Sequence, residues 1–142
     1  MRSSVNNGVS MSKQQSATVL LAHGSSDQNW LAPFSDLLGN IRDGLNGERV
    51  EMSYMELADP SMEHQITMLA REGFTHIDVM PLFFAAGRHL RKDVPGQIDA
   101  LQSTLKDEGL QVSITLHPPV GLEPEVTDAL RHIVVRQVSA NS

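Results

Sequence analysis

Short apolar runs and wider helical stripes alternate along this chain. Residues 17–22 (Ala-Thr-Val-Leu-Leu-Ala) form a compact apolar run, and similar runs recur at 49–55, 76–82 and 111–117. Runs of this length between polar or glycine-containing segments predict buried strands. Between them the apolar positions spread to helical spacing. Trp30, Phe34, Leu37, Leu38, Ile41 and Leu45 make a first stripe, closed by Gly44 and Gly47. Met62, Ile66, Leu69 and Ala70 make a second, with Asp59 as its expected N-cap, Pro60 at its first position and Gly73 at its end. Ile98, Leu101 and Leu105 make a third, opened by Pro95 and ended by Gly109, and Val126, Leu130, Ile133 and Val134 a fourth, opened by Glu123-Pro124. Four strand–helix units predict an α/β fold: a four-stranded parallel sheet with right-handed crossovers and helices covering both faces. Ligands of such sheets bind beyond the carboxyl ends of the strands, where the strand order reverses.

The length of 142 residues suits a single domain, expected over 17–138. Residues 1–16 are polar (Asn6-Asn7-Gly8, Lys13-Gln-Gln-Ser16) and lack the apolar centre of a secretory signal; they are expected to form a disordered tail. One Trp, one Tyr and four Phe leave the core to aliphatic side chains. A formal net charge of -6 argues against nucleic acid as a partner. With no cysteine, disulfides, thiolate metal sites and cysteine nucleophiles are excluded. No apolar stretch approaches the roughly 20 residues that span a bilayer. The expectation is a cytoplasmic protein with no membrane partner.

Three residues mark the candidate chemistry. His23, Glu56 and His89 stand 33 residues apart in each interval. His23 and Glu56 each follow a predicted strand, and His89 lies in the loop after the third. One strand–helix unit per interval gathers all three at one sheet edge, where two imidazoles and a carboxylate suit a divalent metal with a base beside it. Each residue also has a plainer reading. His23-Gly24-Ser25-Ser26 is equally a capping turn, and Glu56 could be held by a salt bridge. Gly87-Arg-His-Leu-Arg-Lys-Asp93 could be a solvated charge cluster. Cations just before a helix are, however, disfavoured by the backbone dipole by a few tenths of a kcal/mol, which an anionic ligand would offset. The apolar stretch Met80–Gly87 is either core or the floor of a pocket for a flat apolar ligand. His117 reaches the same edge but precedes Pro118-Pro119 and reads as structural. His64, His76 and His132 read as surface residues.

Other catalytic signatures are missing. The Arg-His-Gly motif of histidine phosphatases would need arginine where Ala22 stands. Neither a nucleophile elbow nor a glycine-rich phosphate loop is present. What does match is a family. Leu20-Leu-Ala-His-Gly-Ser-Ser26, Glu56-Leu-Ala58, Pro81-Leu-Phe-Phe-Ala-Ala-Gly-Arg-His-Leu-Arg-Lys-Asp-Val-Pro95 and Pro119-Val-Gly-Leu122 together resemble the small, short-form sirohydrochlorin chelatases. These are class II chelatases of cobalamin, sirohaem and related tetrapyrrole synthesis. The resemblance spans residues 17 to about 135.

This resemblance implies a chelatase-like, flavodoxin-like three-layer αβα domain. It implies insertion of a divalent ion (Co²⁺, Fe²⁺ or Ni²⁺) into sirohydrochlorin or a related tetrapyrrole, with the ion as substrate and no permanently bound cofactor. His23, Glu56 and His89 would be the metal-site and catalytic residues. Arg88, Arg91 and Lys92 are candidates to pair with substrate carboxylates, and Ser25, Phe83 and Phe84 to line the substrate site. Members of this length correspond to half of the larger two-domain chelatases and pair as homodimers to complete the cleft. A metal or tetrapyrrole carrier without catalysis, and a phosphoryl-transfer enzyme of the histidine-phosphatase type, are the competing functions.

Overall fold

The structure is a computed structural model describing residues 15–141. The expected tail lies outside these residues except at its end, where Ser16 already pairs in the first strand. The elements alternate as anticipated: β1 (Ser16–Ala22), α1 (Gln28–Asp43), β2 (Arg49–Tyr54), α2 (Met62–Arg71), β3 (His76–Pro81), α3 (Val94–Asp107), β4 (Ser113–Leu116) and α4 (Pro124–Ala140). A π-helical turn, His89–Asp93, runs directly into α3, and a 3-10 turn, Val120–Leu122, precedes α4.

The sheet is wholly parallel, in the order β2-β1-β3-β4. From β1 the chain steps outward to β2, then crosses back to place β3 on the other side of β1. The order therefore reverses between β1 and β3. On one face Ala17, Val19, Leu21, Ile77 and Val79 meet Met62, Ile66, Leu69 and Ala70 of α2 and Val94, Ile98 and Leu105 of α3. On the other, Leu20, Ala22, Val50, Met52 and Tyr54 meet Leu31, Phe34, Leu38 and Ile41 of α1. Strands buried on both faces explain why the sequence runs are continuously apolar rather than alternating.

Three local expectations change. Asp59-Pro60 does not open α2. The Pro60 carbonyl accepts the Tyr54 amide (2.9 Å), which holds Pro60 against the end of β2, so the helix starts two residues later. Ser61 is the N-cap, its hydroxyl accepting from the His64 amide at 3.1 Å. Strand β4 spans only four residues instead of the seven expected. Coverage of the sheet is also incomplete. The α4 stripe does not return to it: Leu130, Ile133 and Val134 are exposed, and Ser113 and Thr115 of β4 stay open on the α1 side of the sheet.

Polar pairs tie the elements at the amino end of the sheet. Arg49 donates to Glu51 (2.6 Å) and to Glu72 (2.7 Å), linking β2 to the end of α2, and the bond from Arg49 holds the Glu72 carboxyl below its usual range. Ser53, the buried polar residue of the core, donates its hydroxyl to the Leu20 carbonyl at 2.8 Å. Ile66 is completely buried between α2 and the sheet. Replacing it with alanine leaves a cavity there, so Ile66→Ala should lower stability by about 2–5 kcal/mol. Urea denaturation should show this as a lower midpoint with an unchanged slope.

Candidate functional site

The C-terminal ends of β1 and β3 lie side by side, and the site is built on the segments just beyond them. After β1 the backbone turns at His23-Gly24. After β3 it runs through Leu82 and Phe83, with the Leu82 amide bonded to the Leu21 carbonyl at 2.8 Å. His23 and Phe83 are thereby brought into ring contact, with centroids 4.3 Å apart and planes tilted by 33°. Phe83 is buried and belongs to the core, so it forms a fixed platform under an exposed imidazole.

Gly24 sets how close this turn lies to its neighbour. Its φ is +95°, a region glycine occupies without strain. A Cβ built on it would stand 1.9 Å from the Glu56 carbonyl oxygen. The contact is reinforced by the Glu56 amide, which donates to the His23 carbonyl at 3.1 Å. His23 and Glu56 are thus neighbours through their backbones. The Glu56 side chain is exposed, so it carries no burial cost of the kind its apolar sequence neighbours suggest, and it does not line the cavity beside His23. Next to it, Leu57 has φ +63° and is 69% exposed at the tip of the loop.

The basic segment is a helical turn rather than a loop. Leu90 is buried, as are Val94 and Ile98 four and eight residues on, so the π turn continues the inward stripe of α3. Anchored by Leu90, the turn leaves Arg88, His89, Arg91 and Lys92 exposed around its outer side. Positive charge therefore crowds the start of one continuous helix, where it opposes the dipole. No side chain caps this start. His89 donates Nδ1–H to the Asp93 carboxylate at 2.6 Å, one helical turn ahead. Such a bond orients the ring and leaves Nε2 as the nitrogen for a ligand.

His23, Met55, Phe83, Ala85, Gly87, Arg88, His89 and Leu90 line a cavity of about 150 Å³. The fold thus brings His23, His89, Arg88 and Phe83 to one place. Phe84, which is 71% exposed, is outside the lining, as are Arg91 and Lys92. The Ser25 hydroxyl accepts from the Asp27 amide (3.0 Å), the capping turn that leads into α1. Among the described residues, no three His, Asp or Glu side chains are close enough together to hold a metal. His117 does not reach the cavity; its Nε2–H donates to Asp78 at 2.8 Å on the sheet face.

Two residues of the quoted motifs had no role of their own assigned from the sequence. Asp93 is four positions from His89, a helical spacing that is visible only once the basic segment is read as helix. Gly121 donates its amide to the Phe83 carbonyl (2.9 Å), and a Cβ there would stand 2.2 Å from the Phe84 Cα. This residue clamps the aromatic pair from the far side. The Gly24 contact can be tested against Gly47, which has nearly the same φ (+96°) but no neighbour near its would-be Cβ. Both alanine variants should lose about 1 kcal/mol to the backbone conformation. Gly24→Ala should lose a further ~1–3 kcal/mol to the clash, read as a lower melting temperature. Equal losses would show that the turn yields freely.

The model of the CbiX family matches residues 17–137. The sirohydrochlorin cobaltochelatase of Sulfolobus acidocaldarius is 27% identical over 123 residues, which cover 85% of this chain and 91% of that one. The sirohydrochlorin ferrochelatase of Bacillus subtilis is also 27% identical, over 82% of this chain but only 43% of its own length. Among solved structures, a cobalamin (vitamin B12) biosynthesis CbiX protein from Marinobacter aquaeolei VT8 is similar with a TM-score of 0.73 and 37% identity, covering 88% of this chain and 98% of that one. The family match covers the whole sheet and both flanks of the cavity: this chain belongs to the CbiX family.

Proposed function

We propose that this chain is a sirohydrochlorin chelatase, which inserts a divalent ion into the free-base macrocycle. The observation that carries this reading is the pair of histidines on one cavity at the switch point of the sheet, with Arg88 beside them. Relatives over most of the chain are named sirohydrochlorin cobaltochelatase and ferrochelatase.

Insertion exchanges one M²⁺ for two pyrrole N–H protons. The site has to hold the ion loosely, present it to the pyrrole nitrogens and take up protons. His23 and His89 are the ion holders in this reading. Imidazole binds Co²⁺, Ni²⁺ and Fe²⁺ without committing to one of them. An imidazole can also take up a proton once the ion has left it. The Asp93 carboxylate, accepting from His89 Nδ1 at 2.6 Å, orients that ring. Glu56, tied to His23 through the backbone, balances the ion's charge or passes the proton on. The stacked Phe83 keeps His23 facing the incoming ring. Arg88, with Arg91 and Lys92 beyond it, pairs with the peripheral carboxylates of the tetrapyrrole, and Phe84 and Ser25 border the same edge. The metal enters as substrate, and no resident cofactor is required.

A cavity of about 150 Å³ is too small for a macrocycle, since drug-sized ligands already fill roughly 300–1,000 Å³. One chain therefore supplies one wall of the cleft. The ferrochelatase relative is more than twice as long as the stretch it shares with this chain. A second copy, giving a homodimer, supplies the other wall. No helix among the described residues is long and apolar enough to cross a membrane. A cysteine-free chain acting on a metal and a soluble tetrapyrrole suits the reducing cytoplasm.

Anaerobic mixing with sirohydrochlorin and Co²⁺, Fe²⁺ or Ni²⁺ in turn, followed in the visible spectrum, tests this reading. Wild type should accelerate insertion, whereas a carrier would bind the same ligands with no gain in rate. His23→Ala and His89→Ala should each cost about 10²-fold or more in rate; full activity in either variant would exclude that histidine from the chemistry. Arg88→Ala should raise the KM for sirohydrochlorin about tenfold, the loss of one charge-assisted bond of ~1.5 kcal/mol, with little change in kcat. An unchanged KM would take the arginine out of substrate binding.

A further inference from the structure

One donor atom of the cavity has no part in the proposed reaction. Met55 lines it together with His23 and His89. A thioether sulfur is a soft, polarizable metal donor as well as an apolar group.

Met55 reaches the cavity because of where β2 ends. Its amide donates to the Ala22 carbonyl at 2.8 Å, which carries the pairing with β1 one residue beyond the strand. Tyr54 before it packs on the α1 side of the sheet, and strand alternation puts Met55 on the other side. There it packs, half-buried, against the cluster that contains Phe83 and Leu90, two residues that also line the cavity. Glu56 comes next, at the exposed turn, and stays outside the lining. The end of β2 thus brings a sulfur to the cavity and keeps the neighbouring carboxylate out of it.

The wall that results is chemically one-sided. Among the described residues that border the cavity none is Asp or Glu, and Phe83, Ala85 and Leu90 supply apolar surface. The metal donors there are two imidazoles and one thioether. Hard divalent ions favour oxygen ligands, from carboxylate or water. Two nitrogens and a sulfur within apolar walls suit a soft ion instead, and thioether sulfur selects Cu(I). Charge points the same way. Arg88 shares the wall, and no lining carboxylate offsets a second positive charge beside it. A volume of about 150 Å³, roughly five waters, has room for one ion among these side chains.

We infer that Met55, with His23 and His89, makes this cavity a binding site for Cu(I). Insertion exchanges one doubly charged ion for two pyrrole protons. A singly charged ion leaves that exchange unbalanced, so Cu(I) occupies the site without turnover and holds off the divalent substrate. This blocking effect rests on the chelatase reading, whereas the binding itself does not. Filling an irregular gap is the ordinary duty of a half-buried methionine. Leucine fills nearly the same volume without the sulfur, so substitution separates the two duties.

Full-length protein is titrated anaerobically with Cu(I) in competition with a chromophoric Cu(I) chelator. Protein labelled with ¹³C at its methionine methyls is titrated with Ag(I), a redox-inert stand-in, and followed by NMR. Of the signals from the seven methionines, the one missing in Met55→Leu should move on addition of Ag(I). Met55→Leu should weaken Cu(I) binding by at least what an outer-shell partner is worth, about tenfold, and leave Co²⁺ binding unchanged. His23→Ala and His89→Ala should each weaken Cu(I) as well. Met68→Leu, at an exposed methionine of α2, should not. Cu(I) affinity that survives Met55→Leu, or a Met55 methyl signal that stays still, would overturn the inference. An equal loss of Cu(I) and Co²⁺ would also overturn it, by showing that Met55 only shapes the cavity. In the insertion assay Cu(I) should inhibit wild type at lower concentration than Met55→Leu. Protein that inserts no ion yet keeps its Met55-dependent Cu(I) affinity would overturn the chelatase reading and leave the soft-ion site standing.

Discussion

Parallel pairing of β1 with β3 is the constraint on which the rest of the molecule depends. Once the chain has stepped out to β2 and crossed back, two strand ends far apart in sequence must lie next to each other. The imidazole just past one and the aromatic ring just past the other have no choice but to meet, at 4.3 Å between centroids. Core packing by Val19, Leu21, Ile77 and Val79 holds those strand ends, so the energy that fixes the site comes from aliphatic burial away from it. The candidate side chains His23, Glu56 and His89 are then free to stay exposed.

A second principle operates at the start of α3. Burying Leu90 in register with Val94 and Ile98 makes the basic segment a helical turn and forces its cations outward. The cluster is costly there in isolation, since it faces a helix dipole of the wrong sign. Asp93 relieves part of that through His89. Among the described residues Arg88, Arg91 and Lys92 make no ion pair, which leaves a positive edge in a chain whose net charge is -6, beside a cavity lined by both candidate histidines. A polycarboxylate ligand fits such an edge better than a neutral one.

Much of this was legible in the sequence, for identifiable reasons. Strand and helix identity followed from apolar spacing because β1 is buried on both faces and the other strands pack one face against helices. The equal intervals among His23, Glu56 and His89 followed from the repeating strand–helix unit, and two of the three, His23 and His89, line one cavity. Less legible were features that depend on contacts distant in sequence. Pro60 is held by a Tyr54 amide, so the start of α2 moved to Ser61. The π turn was hidden because a run of Arg, His and Lys resembles a solvated loop when its single anchor, Leu90, is not recognised as buried. The apolar stripe of α4 was visible, but an amphipathic pattern says only that a helix face seeks a partner. It is silent on which surface provides one.

The contact between Gly24 and the Glu56 carbonyl bears on how an ion could be gathered at all. With a glycine hydrogen where any other residue would collide, and an amide bond beside it, the two loops form a single rigid rim. In the reading proposed above, the three candidate donors would converge by swinging side chains about their own torsions. A rim that stays still while they rotate would grip an ion briefly and release it without rearranging.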